Sequence, residues 1–344
     1  MKLNLYEIRL CKKEEYGELI DFIKMYWSEN HIFCKSRKIF EFQHGSADNG
    51  YYDFIIAVHK STGEIHVVLG FIRSSLYDMQ PLNQPKAIYG ALWKVRDDVN
   101  NNEIGKLGLG VLYYLIKLFP SSAYITLGLS KFSQQIYEAL HFNLTVMNHY
   151  YIANPLINEY KIASTPYFGE PEESSAAKIK ELDNVPDITN TFYPDKNKEY
   201  IWNRYLRHPV YKYELLGIYS AGNLLCLWVV RQIEVNGAKC LRLVDMIGTM
   251  RAIPQMTLQI YHLLERRDCE FIDCYNYGID ETDFLHAGFM KVDLDTVIPN
   301  YYEPFERKNV DIHCAYYARK PVVIFKGDAD QDRPNILPSD WIEK

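Results

Sequence analysis

The chain has no apolar run long enough to cross a bilayer, no Cys-x-x-Cys pair and no long basic stretch. The first absence, with an opening segment MKLNLYEIRLCKKEEYGELIDF that carries no signal-peptide-length apolar stretch, predicts a cytoplasmic protein without a membrane span. The second leaves seven cysteines, at positions 11, 34, 226, 240, 269, 274 and 314, which fit reduced and mostly buried thiols. Cys269 and Cys274 share a predicted strand, but neither His262 nor His286 has ligand-like spacing, so no metal is expected. The third absence, with 38 Lys and Arg against 44 Asp and Glu, argues against nucleic acid as the main partner, because phosphate binding leaves a basic footprint.

What is present is length and aromatic surface. The 344 residues suffice for two cores, and the 28 tyrosines offer apolar rings with polar tips that suit strands as well as sugars and nucleotides. Helical spacing of Leu19, Ile20, Ile23 and Tyr26 predicts an early amphipathic helix. YYDFIIAVH, EIHVVLGFIRSSL and AIYGALWKV read as strands, followed by a polar loop, a helix through Phe119, the strand AYITLGL and the short helix SQQIYEALHF. After a Pro-, Ser- and Glu-rich stretch the order repeats: a helical start at KEYIWNRY, three strands turning at SAGN and VNGA, the helix PQMTLQIYHLLERR, the strand CEFIDCYNYG and the short helix ETDFLHAGF. A duplicated fold of α/β (α+β) class is predicted. Its parts are a first domain over 1–152, a linker over 153–185, a second domain over 186–325 and a tail over 326–344.

The stretch GKLGLGVLYYL places Gly105, Gly108 and Gly110 at the mouth of a helix, where backbone N–H groups can approach an anion. It is not a dinucleotide fingerprint, because the glycine order is reversed and the motif sits in mid-domain rather than after the first strand. Nor is it a Walker A loop, since Lys106 is followed by Leu107 rather than Ser or Thr. The run Gly105-Lys106-Leu107-Gly108-Leu109-Gly110 after a central strand resembles the GNAT superfamily of acyl-coenzyme A transferases, with Gly105 where Gln or Arg is usual. SKFSQQIYEALHF resembles the later helix of the same superfamily, with His141 where glycine is common.

The resemblance implies two tandem GNAT-like domains, each a mixed, mostly antiparallel sheet flanked by helices. It implies acyl-CoA as co-substrate, with no permanently bound cofactor, held by Trp93, Val95 and residues Gly105 to Gly110. The Val95 N–H would meet the thioester carbonyl and the Tyr137 hydroxyl the departing sulfur. Asp97, Asp98 or, from the other half, Asp245 would take the proton of the attacking amine. Asp245 lies mid-strand among apolar neighbours and so is either paired with Arg242 or Arg204 or functional. His31, Arg204, His208 and Tyr211 are acceptor-binding candidates. The second half has no glycine-rich loop before PQMTLQIYHLL, so it is expected to lack a coenzyme site.

NHIFCKSRKIFEFQH and FKGDADQDRPN resemble an acceptor-side loop and a C-terminal motif of tandem GNAT proteins from bacterial surface-polysaccharide gene sets. The expected activity is therefore N-acylation of a nucleotide-linked deoxyamino sugar, as in anthrose-type pathways, by a monomer or homodimer. The alternatives are a non-catalytic degenerate GNAT pair and a tRNA-dependent aminoacyl transferase.

Overall fold

Continuous apolar runs make the central strands, because helices or a second sheet cover both of their faces. The structure, a computed structural model, describes residues 4–45, 50–172 and 176–337. The first half runs β1 (Tyr6–Lys12), α1 (Tyr16–Tyr26), α2 (Ile32–Lys35), α3 (Arg37–His44), β2 (Tyr51–His59), β3 (Ile65–Arg73), β4 (Ala87–Val95), α4 (Ile104–Leu118), β5 (Ala123–Leu127), α5 (Lys131–Ala139) and β6 (Asn143–Val146). The second runs β7 (Asn148–Ala153), β8 (Ala177–Leu182), α6 (Lys198–Ile201), β9 (Glu214–Ser220), β10 (Asn223–Val235), β11 (Ala238–Gly248), α7 (Thr257–Arg267), β12 (Cys269–Tyr277), α8 (Glu281–His286), β13 (Met290–Lys291), β14 (Tyr301–Tyr302), β15 (Phe305–Glu306), β16 (His313–Tyr317) and β17 (Ile324–Phe325).

Every residue of β3 is buried: Val67 and Leu69 pack towards α4, and Val68 towards α1 to α3. Helix α4 presents Leu107, Val111, Leu112 and Leu115, one stripe at helical spacing, to the same sheet. A shared core, which includes Tyr89, Ile125, Tyr205, Val229 and Val244, joins the two halves.

The sheets are built alike but trade a strand. One has the order β1-β2-β3-β4-β5-β16-β6, the other β13-β7-β12-β11-β10-β9-β8. In each, only the central pair is parallel, β4 with β5 and β11 with β12. β7, all but one residue of which precedes the expected boundary at 152, lies between β12 and β13, and β16, from beyond it, lies between β5 and β6. The expected boundary at 152 therefore does not separate two closed sheets.

Three other expectations change. Residues expected to form a linker are anchored, because the Glu270 carboxylate accepts N–H bonds from Lys161, Ile162 and Ala163, and residues 177–182 form the edge strand β8. The segment NHIFCKSRKIFEFQH is no loop but the helices α2 and α3, which bury Ile32, Phe33, Ile39 and Phe40. FKGDADQDRPN is no surface tail: Asp328 and Asp332 are buried, each facing a cation, Lys196 and Arg231 respectively. Residues 338–344 of the expected tail lie outside the described residues.

Candidate active site

The parallel pair opens into a slot. β4 and β5 pair only over Ala87–Gly90 and Ala123–Thr126, while β4 continues to Val95. A bulge sits just where they part: Leu69 faces Trp93 and Phe71 faces Gly90, so β4 carries one extra residue at Ala91–Leu92 and bends away. The Arg96 N–H donates to the His66 carbonyl on β3 at 2.9 Å. Since antiparallel backbone groups alternate sides, the N–H and C=O groups of Val95 and Trp93 face the slot instead.

Helix α4 roofs this opening. Its first two turns hold all three glycines, which therefore lie within the helix rather than in a loop before it. A Cβ at Gly108 would come within 3.3 Å of Val95 Cγ2 and 3.7 Å of Trp93 Cζ2, so glycine there keeps the slot clear. The resulting cavity, about 600 Å³, is lined by Trp93, Val95, Gly105, Gly108, Leu109 and Tyr137, among others. Leu107 and Gly110 are turned into the core and Lys106 is exposed, so these three expected contacts stand off the cavity wall. The Trp93 indole N–H, buried in the wall, has no hydrogen-bond partner among the described residues.

At the inner end the Tyr137 hydroxyl meets the Tyr124 hydroxyl at 3.1 Å, and the Tyr137 ring stands edge-on to Trp93. Burial pushes the Tyr137 hydroxyl up to about 12, so it holds its proton at neutral pH. This pair depends on Gly90, where a Cβ would sit 2.6 Å from the Tyr124 hydroxyl oxygen. His141, which follows helix α5, takes φ +59°, the left-handed conformation that glycine usually supplies, so the turn is kept despite the substitution.

The expected carboxylates separate. Asp97 lies on the cavity wall, its side chain 81% exposed and 2.6 Å from Lys94 Nζ. Asp98 is clamped by two hydrogen bonds from Arg96, both 2.9 Å, which pull its carboxyl down to about 2 and make it a poor proton acceptor. Asp245 is fully buried, and its partner is neither Arg242 nor Arg204. Lys196 Nζ lies 2.7 Å from Oδ1, and the Tyr205 hydroxyl donates to Oδ2 at 2.6 Å. Arg242 is bound instead to Asp273, and Arg204 donates to the Gly327 carbonyl beneath the rings of Phe42 and Tyr77.

Of the acceptor candidates, only Tyr211 reaches a cavity wall. His31 caps α2 by accepting the Phe33 N–H, and His208 accepts the N–H groups of Val210 and Tyr211. Burial holds both imidazoles down at about 3, so they are neutral. Sequence reasoning missed Arg231, Asn300 and Glu303, which line a second cavity with Tyr211 and with Lys326 of the FKGDADQDRPN segment. A signal was present in Arg231, a cation directly after the apolar LLCLWVV run and within the same strand.

No family model and no curated protein matches this sequence. Solved structures do. A GCN5-related N-acetyltransferase from Anabaena variabilis aligns over 90% of this chain and 72% of its own, at 9% identity and a TM-score of 0.50. The N-myristoyltransferase of Saccharomyces cerevisiae, crystallised with bound myristoyl-CoA, aligns over 93% and 80%, at 9% identity and a TM-score of 0.43. A GCN5-related N-acetyltransferase from Sphaerobacter thermophilus aligns over 94% and 98%, at 9% identity and a TM-score of 0.40. At such identities the likeness concerns architecture: over nearly its whole length, with two mixed, mostly antiparallel sheets flanked by helices, the chain has the fold of a GCN5-related N-acetyltransferase.

Proposed function

We propose that the protein is an acyl-CoA-dependent N-acyltransferase whose acceptor is the amino group of a nucleotide-linked deoxyamino sugar destined for a bacterial surface glycan. The observation that carries the reading is the slot between β4 and β5, roofed by glycines and ending at Tyr137. The pantetheine arm of acyl-CoA would lie along the free edge of β4 as a partial extra strand, bonding to the backbone of Trp93 and Val95. Its pyrophosphate would sit near Gly105 at the positive end of the α4 dipole, where Asn101 Oδ1 already accepts the Glu103 and Ile104 N–H groups.

The amine nitrogen attacks the thioester carbonyl carbon directly. The Val95 N–H stabilises the oxyanion as it forms, the C–S bond breaks, and the leaving sulfur takes the Tyr137 proton. The proton lost by the attacking nitrogen needs an acceptor. Asp97, the one of the three carboxylate candidates on the cavity wall, is assigned that role. No acyl-cysteine is assigned: burial pushes the thiols of all seven cysteines, Cys34 included, upward and away from the thiolate form. The apolar faces and polar tips of Tyr211 and Tyr301 suit a sugar.

Thermal unfolding with coenzyme A, acetyl-coenzyme A and a set of nucleotide amino sugars tests this, since any ligand of the native state raises the midpoint. A shift with a coenzyme A species and a second shift with an amino-sugar nucleotide are expected. Absence of any shift with coenzyme A species would overturn the transferase reading, leaving a binding protein of GNAT shape.

A further inference from the structure

A second cavity, about 230 Å³ in volume, shares Gly128 with the first. Gly128 directly follows β5, so the two cavities border the same residue beside the slot. Where the first is largely apolar, the second is charged: Arg231, Arg242, Lys326 and Arg333 lie on its wall against Glu303 and Asp332. Two of these cations have close carboxylate partners, Arg231 with Asp332 at 2.9 Å and Arg242 with Asp273 at 2.6 Å. Glu303 Oε2 already accepts the Tyr211 hydroxyl at 2.5 Å and the Asn335 N–H at 3.0 Å.

Lys326 is placed differently. It is only 4% exposed, and its ammonium donates to Asn300 Oδ1 at 2.6 Å, a neutral acceptor. Burial holds it down at about 7, with repulsion by Arg242 and Arg231 acting in the same direction and attraction by Asp332 and Asp273 against it. A buried ammonium facing a cavity, hydrogen-bonded to an amide and without a direct carboxylate contact among the described residues, is a group awaiting a counter-ion.

We infer that this cavity is the acceptor site and that Lys326 binds an anionic group of the acceptor, a phosphate or a carboxylate, which brings the acceptor amine to the slot beside Gly128. The inference rests on the transferase reading and adds to it the chemistry by which the acceptor is gripped. Asn300 holds the ammonium in position, and the Tyr211 and Tyr301 rings wall the rest of the ligand. An anion on Lys326 requires the charged lysine. Affinity for it therefore falls as pH rises through about 7, because the unliganded lysine loses its proton there.

The test is calorimetry on the full chain, with coenzyme A saturating the slot and inorganic phosphate or acetate as the probe, at about pH 6 and about pH 8.5. One probe is expected to bind the wild type about tenfold more weakly at the higher pH. Lys326→Met should weaken it about tenfold or more at the lower pH and abolish the pH dependence of acetate, whose charge is constant over this range while phosphate gains a second charge, and Lys326→Arg keeps binding at both. Preference for phosphate identifies a phosphate-bearing acceptor, and preference for acetate a carboxylate-bearing one. Unchanged coenzyme A affinity in Lys326→Met verifies that the variant is folded. Coenzyme A binding with neither probe bound, or equal probe binding in wild type and Lys326→Met, would overturn the role of the cavity. Probe binding without coenzyme A binding would instead overturn the transferase reading and the acceptor assignment that rests on it.

Discussion

The same opening exists in both halves of the molecule, and the halves treat it in opposite ways. In the first sheet β4 and β5 part beyond Gly90 and leave a cavity of about 600 Å³. In the second, β11 and β12 pair as far as Leu243 and Cys274 and then part as well. There the chain fills the gap with itself: Ile324 and Phe325 pair with Tyr277 and Asn276, and the Gly327 N–H donates to the Val244 carbonyl at 2.8 Å. A segment of the protein thus hydrogen-bonds both walls, as an extended ligand would in the first slot. The helices that follow match too. The Phe142 N–H donates to the Tyr137 carbonyl, and the Phe289 N–H to the Phe284 carbonyl, both at 3.0 Å. Tyr137 thus has a counterpart in Phe284, and the hydroxyl occurs only beside the open slot. The fold provides two openings, and residues 322–328 fill one of them, beside which Phe284 offers no hydroxyl.

The largest expected effect comes from releasing the filler. Lys196 is 4% exposed and bridges Asp245 of β11, at 2.7 Å, to Asp328 of the inserted segment, at 2.9 Å. Lys196→Met leaves two buried carboxylates without their cation and should cost about 3–5 kcal/mol. Urea unfolding reads this as a large fall in midpoint, and an unchanged midpoint would mean that the bridge does not fasten the insertion. Next comes Gly108→Glu, which closes the open slot with a side chain against Val95 and should lower coenzyme A affinity by ~10²-fold or more. Calorimetry with affinity retained would place coenzyme A elsewhere. Tyr137→Phe makes the first site resemble the second. Turnover should drop by ~10²-fold at unchanged coenzyme A affinity, and full turnover would remove Tyr137 from the chemistry. The smallest effect is expected of Gly90→Ala, whose Cβ displaces the Tyr124 hydroxyl and should destabilise by about 1–3 kcal/mol. A melting temperature equal to wild type would show that the Tyr124 ring moves aside freely.

How much of this was legible in the sequence depended on the distance over which each feature is encoded. Strand β4, helix α4 and strand β12 follow from local periodicity, and the repetition of element order revealed two related halves. The slot itself followed from resemblance to a known glycine pattern. Strand β1 was not read, since as an edge strand it buries only Tyr6 and Cys11 of its seven residues and shows no clean alternation. The crossing of β7 and β16 left no local trace, because pairing partners such as Cys274 and Tyr150 lie more than a hundred residues apart. Buried ion pairs misled for the same reason. Asp332 reads as surface until Arg231, 101 positions earlier, is brought to it, and Asp245 was paired with Arg242 or Arg204 or read as functional, while its cation is Lys196, 49 positions away. The second cavity is assembled from six separate stretches of chain, and no single window of sequence contains it.

The crossed strands also set an order of events in biosynthesis. Residues 313–317 complete the sheet that carries the slot, between β5 and β6. A ribosome that has released the first half has therefore made every slot-lining residue but not a finished sheet. Until β16 emerges, β5 and β6 present unpaired edges, which invite pairing with other chains. That sheet is completed only after residue 317 has been made, so products that stop before β16 lack the strand between β5 and β6.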